Sequence, residues 1–327
     1  MRRGVDFSII SFVNNYCLHA LVLKYAHIWG TMAPADQITK GIILAAGAGT
    51  RLSPATLPIS KILLPIYDRP MVYYPLSTLI SAGIRDILII TNETDKANFE
   101  RTLRDGSQFG VKITYEIQYV QRGISDAFII GEKFINGDPC VLILGDNIFC
   151  GDDMEKIMGE AAKDISNATV FAHWVPDPQR FGVAEFDSDG KVISLEEKPK
   201  NSKSNYAVVG LYFYPGDTTA KAKSLKPSAR GELEITDLNR LYLDEGKLKV
   251  KTMDKDTKWI DAGTFDSLLE SAEFVRDAEK RPGTKVLCPE IEALKKGYVT
   301  KEEIKAWVAS FKMNDYYQDI IDFIERM

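Results

Sequence analysis

The residues with the clearest capacity for chemistry lie between positions 41 and 61. An apolar run over 42–44 leads into Gly47-Ala48-Gly49-Thr50-Arg51, and Lys61 follows ten residues later. Backbone N–H groups beside glycine are open to an anion, because no Cβ stands in the way. Arg51 and Lys61 add two positive charges to the same connection. This composition predicts a loop that binds a polyphosphate.

Two better-known phosphate loops do not fit this segment. The dinucleotide-binding fingerprint requires a third glycine where the chain has Leu52, which disfavours a nicotinamide-dependent oxidoreductase. A P-loop requires a glycine, a four-residue gap and Gly-Lys-Ser/Thr, and no such run is present. The glycines alone would also suit an ordinary turn between a strand and the next element, with two solvated basic side chains.

Two aspartates lie at predicted loop ends. Asp146 comes after the apolar run 141–144 and a glycine, and Asp261 lies between Trp259-Ile260 and the turn at Gly263. Each could be only a turn or capping residue. Two carboxylates that converged on a phosphate loop would suit Mg²⁺, which takes few protein ligands and keeps phosphate oxygens and water in its shell. The residues alone do not show that convergence.

The overall composition is that of a globular protein. The chain has 327 residues, of which 45% are hydrophobic and 27% charged, enough for one large domain with an appendage or for two domains. A net charge of −5 without a clustered basic patch argues against a nucleic-acid surface. Four cysteines without Cys-x-x-Cys spacing form neither a disulfide framework nor a zinc site, so we expect a reducing, cytoplasmic setting. Three scattered histidines offer no obvious triad or metal centre.

The elements that would position these residues alternate up to about residue 150. The patterns predict strands over 40–45, 86–91, 111–118 and 140–144, and helices over 72–82, 95–104 and 125–134. Such alternation favours an α/β fold with a mostly parallel central sheet covered on both faces. Beyond residue 151 the patterns predict strands over 169–174, 181–186, 192–197, 207–213 and 248–252, and helices over 235–245, from 265, and over 316–326. These strands indicate mixed extensions of the sheet, followed by a helical C-terminal tail.

The first 38 residues differ from the rest. An uncharged run over 7–23 resembles a signal peptide or anchor, but Asn14 and Asn15 interrupt it, and it is shorter than the roughly 20 residues of a spanning helix. We therefore expect no membrane insertion, and interpret residues 1–38 as a dispensable extension, disordered or not native, with Met32 as the functional start. The remaining chain is divided into a catalytic domain over 39–280 and the tail over 281–327.

Seven motifs in succession carry a family resemblance. The first is Leu-Ala-Ala-Gly-x-Gly-Thr-Arg-Leu at 44–52 with Ser-Lys-x-Leu-Leu-Pro at 60–65, and the others lie at 144–149, 180–183, 195–199, 205–208, 228–237 and 259–264. Together they resemble the sugar-phosphate nucleotidyltransferases, and within them the glucose-1-phosphate thymidylyltransferases of deoxysugar pathways. The resemblance covers about residues 41–290 and implies the Rossmann-like nucleotidyltransferase fold.

The resemblance implies a reaction. A thymidylyl group would pass from dTTP to α-D-glucose 1-phosphate, giving dTDP-glucose and pyrophosphate, the first step of dTDP-deoxysugar (rhamnose-type) biosynthesis. It also implies Mg²⁺ as cofactor, a homotetramer and feedback by the pathway's end product. Uridylyl transfer to the same sugar phosphate is one alternative. A catalytically silent sugar-nucleotide sensor is another, although such a protein would be expected to lose the charged positions that this chain retains, Arg51, Lys61, Asp146, Lys198 and Asp261.

The resemblance also implies roles for individual residues. Those matched to the nucleotide are Leu44, Gly47, Ala48, Gly49, Thr50, Arg51, Lys61, Gln118 and Gly123, with Arg51 and Lys61 as the catalytic cations and the last two at the base. Those matched to the sugar phosphate are Asn147, Gly182, Glu197, Lys198 and Val208, with Glu197 accepting from sugar hydroxyls and Lys198 facing the phosphate. Asp146 and Asp261 match the magnesium ligands.

The chain departs from the family pattern near the predicted base pocket. Ala46 stands where many members have glycine, which is a mild change unless φ is positive. Arg122 stands where the family usually has an acidic or small residue before Gly123. Ser125 and Asp126 stand where it usually has alanine and then glutamine or glycine. These changes bear on base selectivity and on rate, and leave the reaction class as it is.

Overall fold

The computed structural model describes residues 37–281 and 283–327. The predicted extension therefore lies outside the described residues, apart from Gln37 and Ile38. Ile38 is only 1% exposed, and its N–H donates to the carbonyl of Ala162 at 2.8 Å. These two residues therefore pack with the sheet and helices that follow them.

A nine-stranded sheet organises the described chain. Its strands are β1 (Lys40–Leu44), β4 (Asp86–Thr91), β5 (Lys112–Ile117), β6 (Cys140–Leu144), β8 (Ala168–Trp174), β9 (Gly182–Phe186), β10 (Val192–Glu197), β11 (Tyr206–Tyr214) and β12 (Leu248–Thr252). The main path runs β10-β9-β11-β6-β1-β4-β5, and β8 pairs with both β11 and β12. Strands β6, β1, β4 and β5 are parallel, whereas β11 joins β6 in the antiparallel sense.

Two further sheets have only two strands each. Strands β2 (Pro65–Ile66) and β3 (Arg69–Pro70) form the first. Strands β7 (Asn147–Cys150) and β13 (Lys258–Asp261) form the second, in which residues more than a hundred positions apart pair in antiparallel register.

Helices cover both faces of the sheet. They are α1 (Tyr73–Ser81), α2 (Lys96–Leu103), α3 (Asp126–Ile130), α4 (Glu132–Ile135), α5 (Met154–Ala162), α6 (Thr218–Ser224), α7 (Ile235–Asp244), α8 (Phe265–Glu279), α9 (Pro289–Lys295), α10 (Lys301–Val308) and α11 (Asp315–Arg326). Alternate strand residues enter different cores: Ile42 packs in one and Ile43 in the other, and both are fully buried. The parallel strands are therefore apolar on both faces, as covered sheets require.

The predicted α/β class with a mostly parallel sheet and mixed extensions is confirmed. Strands β4, β6, β10 and β12 begin and end at the predicted residues. The single helix predicted over 125–134 is wrong in detail: Gly131 separates two short helices, α3 and α4. Strands β2, β3, β7 and β13 and helices α5 and α6 were not predicted.

The C-terminal segment packs onto the sheet domain. Helix α9 contacts α1, and Ile291, Ile320 and Ile324 belong to the larger core. A buried ionic network joins it to the hairpin β2–β3: Lys285 Nζ lies 2.7–2.9 Å from carboxylates of Asp68, Glu279 and Asp319. The lysine occupies the space among these three acids, so the cluster is a salt-bridge network. None of the described helices has the length and apolar character needed to cross a bilayer.

Candidate active site

The predicted phosphate loop follows β1 at the carboxyl edge of the sheet. Gly47, Ala48, Thr50 and Arg51 are exposed, whereas Leu52 is fully buried and anchors a 3₁₀ turn over Thr50–Leu52. Gly49 has φ +62°, and a Cβ there would lie 3.1 Å from Cβ of Lys61. Glycine therefore allows both the left-handed backbone and the close approach of the lysine.

Lys61 forms an ion pair with Asp146 at the carboxyl edge of the sheet. Lys61 opens a 3₁₀ turn, and Asp146 follows β6, the parallel neighbour of β1. Both side chains are 13% exposed. Burial favours a raised pKa for Asp146, but the ammonium of Lys61 and the Asn147 amide, which donates to Asp146 Oδ1 at 3.0 Å, lower it overall.

Asp261 is brought beside Asp146 by the pairing of β7 with β13. Asp261 lies opposite Asn147 in the register, and the N–H of Ala262 donates to the carbonyl of Asp146 at 2.9 Å. Among the described residues nothing donates to the buried Asp261 Oδ1. Burial and the nearby charge of Asp146 raise the pKa of Asp261 to about 6.

The guanidinium of Arg51 lies near the carboxylate of Asp261, beside Gly263. A Cβ placed on Gly263 would lie 2.7 Å from Nη2 of Arg51 and 2.8 Å from Oδ1 of Asp261. The phosphate loop and the turn after β13 thus meet at Gly263, where the absence of a Cβ leaves room for both side chains. The structure therefore brings together two cations and two carboxylates that the sequence places far apart.

This pair of acids is compatible with a hard divalent cation. Asp146 and Asp261 offer carboxylate oxygens, the ligand type that Mg²⁺ takes in small number beside phosphate and water. The unpartnered, buried Oδ1 of Asp261 is the observation that favours a ligand here, because buried carboxylate oxygens are normally paired.

Asn147, which the resemblance assigned to the sugar phosphate, has its side-chain amide committed to the protein. It is 2% exposed, and its Oδ1 accepts from the N–H of Gly210 at 3.1 Å and from Nε1 of Trp259 at 2.8 Å. Its Nδ2 donates to Asp146. In this arrangement the amide ties β7 to β11 and to β13 and orients the carboxylate of Asp146.

The other predicted sugar-phosphate residues gather where β9, β10 and β11 run side by side. A Cβ on Gly182 would lie 3.4 Å from Oε2 of Glu197 and 4.0 Å from Cβ of Val208. Lys198 has φ +43°, its N–H donates to the carbonyl of Phe181, and its Nζ lies 3.8 Å from Glu197. A glutamate flanked by a half-exposed lysine suits a ligand with both hydroxyl and phosphate groups.

Two further residues that the sequence analysis did not single out contact Glu197. Thr236 donates its hydroxyl to Glu197 Oε2, and Arg230 Nη2 lies 3.2 Å from Oε1. Both belong to the motif at 228–237, so the signal was present in the sequence. Their contact with Glu197 could not be read from it, because the two segments are more than thirty residues apart.

Gln118 and Gly123, the predicted base contacts, lie on the segment after β5. Gln118 follows β5, and its Nε2 donates to Oδ2 of Asp126 at 3.0 Å. Gly123 has φ +99°, and a Cβ there would lie 2.6 Å from the carbonyl oxygen of Leu233. Gln121 Nε2 donates to the carbonyl of Ala46, which connects this loop to the phosphate loop.

The fold and this site define a nucleotidyltransferase. Residues 40–278 match the profile of the family described as "Nucleotidyl transferase", and the chain belongs to that family. A "Glucose-1-phosphate thymidylyltransferase" of Xanthomonas campestris pv. campestris is 50% identical over 277 residues, which are 85% of this chain and 94% of that protein. The protein of the same name from Neisseria meningitidis is 48% identical over 88% of this chain and its own full length.

Solved structures agree with these relatives. A Bacillus anthracis structure described as a glucose-1-phosphate thymidylyltransferase in complex with sucrose has a TM-score of 0.68 and 44% identity, covering 73% of this chain and 96% of that one. A UDP-glucose pyrophosphorylase complexed with UDP-glucose has a TM-score of 0.65 at 24% identity, which speaks for the fold alone.

Proposed function

We propose that this protein transfers a thymidylyl group from dTTP to α-D-glucose 1-phosphate, releasing pyrophosphate and forming dTDP-glucose. The observation that carries the proposal is the meeting of Arg51, Lys61, Asp146 and Asp261 at the end of the phosphate loop. The names of relatives at 43–50% identity support the same substrates.

The reaction depends more on electrostatic stabilisation of phosphate charge than on proton transfer. A phosphate oxygen of glucose 1-phosphate attacks the α-phosphorus of dTTP, a new P–O bond forms, and the bond to the bridging oxygen of pyrophosphate breaks. The nucleophile is already an anion near neutral pH, so no general base is needed. The difficulty is to bring two anions together, and Arg51 and Lys61 address it by positioning and by electrostatic stabilisation.

We propose that Asp146 and Asp261 hold Mg²⁺. When bound, the ion supplies Lewis-acid neutralisation of phosphate charge. Asn147 orients Asp146 for this purpose, and Lys61 lies against the same carboxylate. The cations of Arg51 and Lys61 would then offset further charge on the triphosphate.

The two ends of the site would select the substrates. Glu197 accepts from sugar hydroxyls, Lys198 faces the sugar's phosphate, and Gly182 and Val208 leave room for the ring. Gln118 and Gly123 meet the base. We further propose a homotetramer, on the family resemblance alone. We also propose a reducing, cytoplasmic setting, which the free thiols of Cys140, Cys150 and Cys288 support.

The test is pyrophosphate release with Mg²⁺ across a panel of nucleoside triphosphates and sugar 1-phosphates. We expect the highest kcat/KM for dTTP with glucose 1-phosphate and no turnover in EDTA. A preference for UTP would indicate uridylyl transfer. Tight binding of the sugar nucleotide without any pyrophosphate release would indicate a silent sensor. Size-exclusion chromatography with light scattering measures the molar mass and so tests the tetramer.

A further inference from the structure

Asp126 fixes which way the side-chain amide of Gln118 points. The carboxylate accepts from Gln118 Nε2 at 3.0 Å through Oδ2 and from Arg122 Nη2 at 2.7 Å through Oδ1. A carboxylate can only accept, so Nε2 of Gln118 must face it and Oε1 must face away. Among the described residues none donates to that oxygen.

The carboxylate is held on a rigid support. Asp126 is 1% exposed and begins α3, and Ser125 beside it is fully buried. The N–H of Leu233 donates to the carbonyl of Arg122 at 2.7 Å, and Ser125 donates its N–H to the carbonyl of Leu233 and its hydroxyl to the carbonyl of Glu234. These bonds hold the backbone on the N-terminal side of Asp126 against residues 233 and 234.

We propose that Asp126 is a specificity-determining positioning residue, which holds the carbonyl oxygen of Gln118 toward the nucleobase. An oxygen in that place accepts from N3–H of thymine or uracil. Cytosine presents an acceptor at N3 and is disfavoured, because two acceptors would face each other. The inference rests on the proposed function, in which Gln118 meets the base.

The isosteric change Asp126→Asn tests the orientation directly. The guanidinium of Arg122 can only donate, so the new amide turns its oxygen toward Arg122 and its NH₂ toward Gln118. Gln118 must then reverse its own amide and present Nε2 to the base. We expect the ratio of kcat/KM for dTTP over dCTP to fall by roughly ten- to a hundredfold, because N3–H of thymine would then face a donor and lose its acceptor. The KM for glucose 1-phosphate should stay within about twofold, because the reversal leaves the sugar site unaltered.

Two controls separate orientation from a general structural effect. Glu132→Gln removes a carboxylate that begins α4 and pairs with Lys223 on the surface, and it should leave the dTTP/dCTP ratio unchanged. In a Gln118→Ala background the ratio should already be low, and adding Asp126→Asn should not alter it further. If Asp126 acted independently of Gln118, Asp126→Asn would lower the dTTP/dCTP ratio further in the Gln118→Ala background.

The outcomes are distinguishable. If wild-type protein releases pyrophosphate from dTTP while folded Asp126→Asn keeps its full dTTP/dCTP ratio, the inference is overturned and the proposed function stands. If wild type turns over neither nucleotide, the proposed function fails first. Should Asp126→Asn not fold, Gln118→Ala decides, and retention of dTTP selectivity by that variant overturns the proposal.

Discussion

Lys61 and Asp146 form an ion pair across 85 positions of the sequence, at the edge where the parallel strands β1 and β6 both end. Neighbouring parallel strands place their carboxyl ends together, so a lysine in the first loop and an aspartate after β6 meet without a special connection. Asp261 arrives by another route, the pairing of β7 with β13. The two acids therefore lie in one site with opposite pKa shifts.

Because the two pKa values shift in opposite directions, the same change from Asp to Asn should have opposite effects on the free energy of unfolding at the two positions. The pKa of Asp261 is raised to about 6 from 3.8, so its charge destabilises the metal-free fold increasingly as pH rises from 4 to 6 and fully above that. Asp261→Asn should raise the free energy of unfolding in EDTA at pH 7.5 by about 1–3 kcal/mol, and the gain should vanish toward pH 4.

Asp146→Asn should do the reverse. The pKa of Asp146 is lowered, so its charge stabilises the fold above the unfolded value, and that contribution is lost as pH falls. Removing it leaves Lys61 without its partner, and we expect a loss of about 1–3 kcal/mol at pH 7.5. Urea unfolding in EDTA between pH 4.5 and 8 measures both, with the exposed turn residue in Asp189→Asn as control. Equal signs for the two variants would contradict the charge assignment.

Both substitutions should impair turnover if the acids hold the metal. The interaction of the metal with the transferring group strengthens toward the transition state, so its loss should lower kcat more than it changes KM. We expect kcat to fall by about 10²–10³-fold for either variant. Steady-state kinetics at saturating Mg²⁺ and substrates gives the value, with circular dichroism to confirm folding. Near-normal kcat for Asp261→Asn would rule out the two-carboxylate site. A stabilised but inactive Asp261→Asn would instead show stability sacrificed for function.

Lys198→Ala should affect the sugar substrate alone. The sugar's phosphate is charged in both ground and transition states, so losing its cation should raise KM for glucose 1-phosphate well above any change in KM for dTTP. Half-exposed Lys198 projects from a left-handed backbone position beside Glu197. Lys200→Ala, on the exposed surface two residues further on, is the matched control. If Lys198→Ala raised KM for dTTP alone, the assignment of Lys198 to the sugar phosphate would be wrong.

Local sequence patterns predicted most of the sheet, because buried parallel strands are short apolar runs between turns. They did not reveal β7, whose partner β13 lies more than a hundred residues away. For the same reason, the meeting of Asp146 with Asp261 came from the family resemblance and not from spacing. The contact between Gln118 and Asp126 depends on how one loop docks against residues 232–234, which no periodicity encodes.

The last expectation concerns the buried network that fastens the C-terminal segment. The carboxylate of Glu279, 4% exposed, accepts from Arg69, from Lys285 at 2.7 Å and from the N–H of Val286 at 2.9 Å. Burial lowers the pKa of Lys285, but its hydrogen bonds to Glu279 and Asp68 outweigh burial and raise it overall.

Glu279→Gln should leave two buried cations short of one negative charge and destabilise the fold by about 3–5 kcal/mol, the usual effect of breaking a buried ion pair. Asp277→Asn, on the exposed face of the same helix, should change stability by less than about 0.5 kcal/mol. Urea unfolding measures both variants, and pyrophosphate release at 25 °C should remain near the wild-type value, because the network touches none of the proposed site residues. A loss below about 1 kcal/mol would mean that Asp68 and Asp319 suffice to neutralise Arg69 and Lys285, and that Glu279 is dispensable to the attachment of the C-terminal helices.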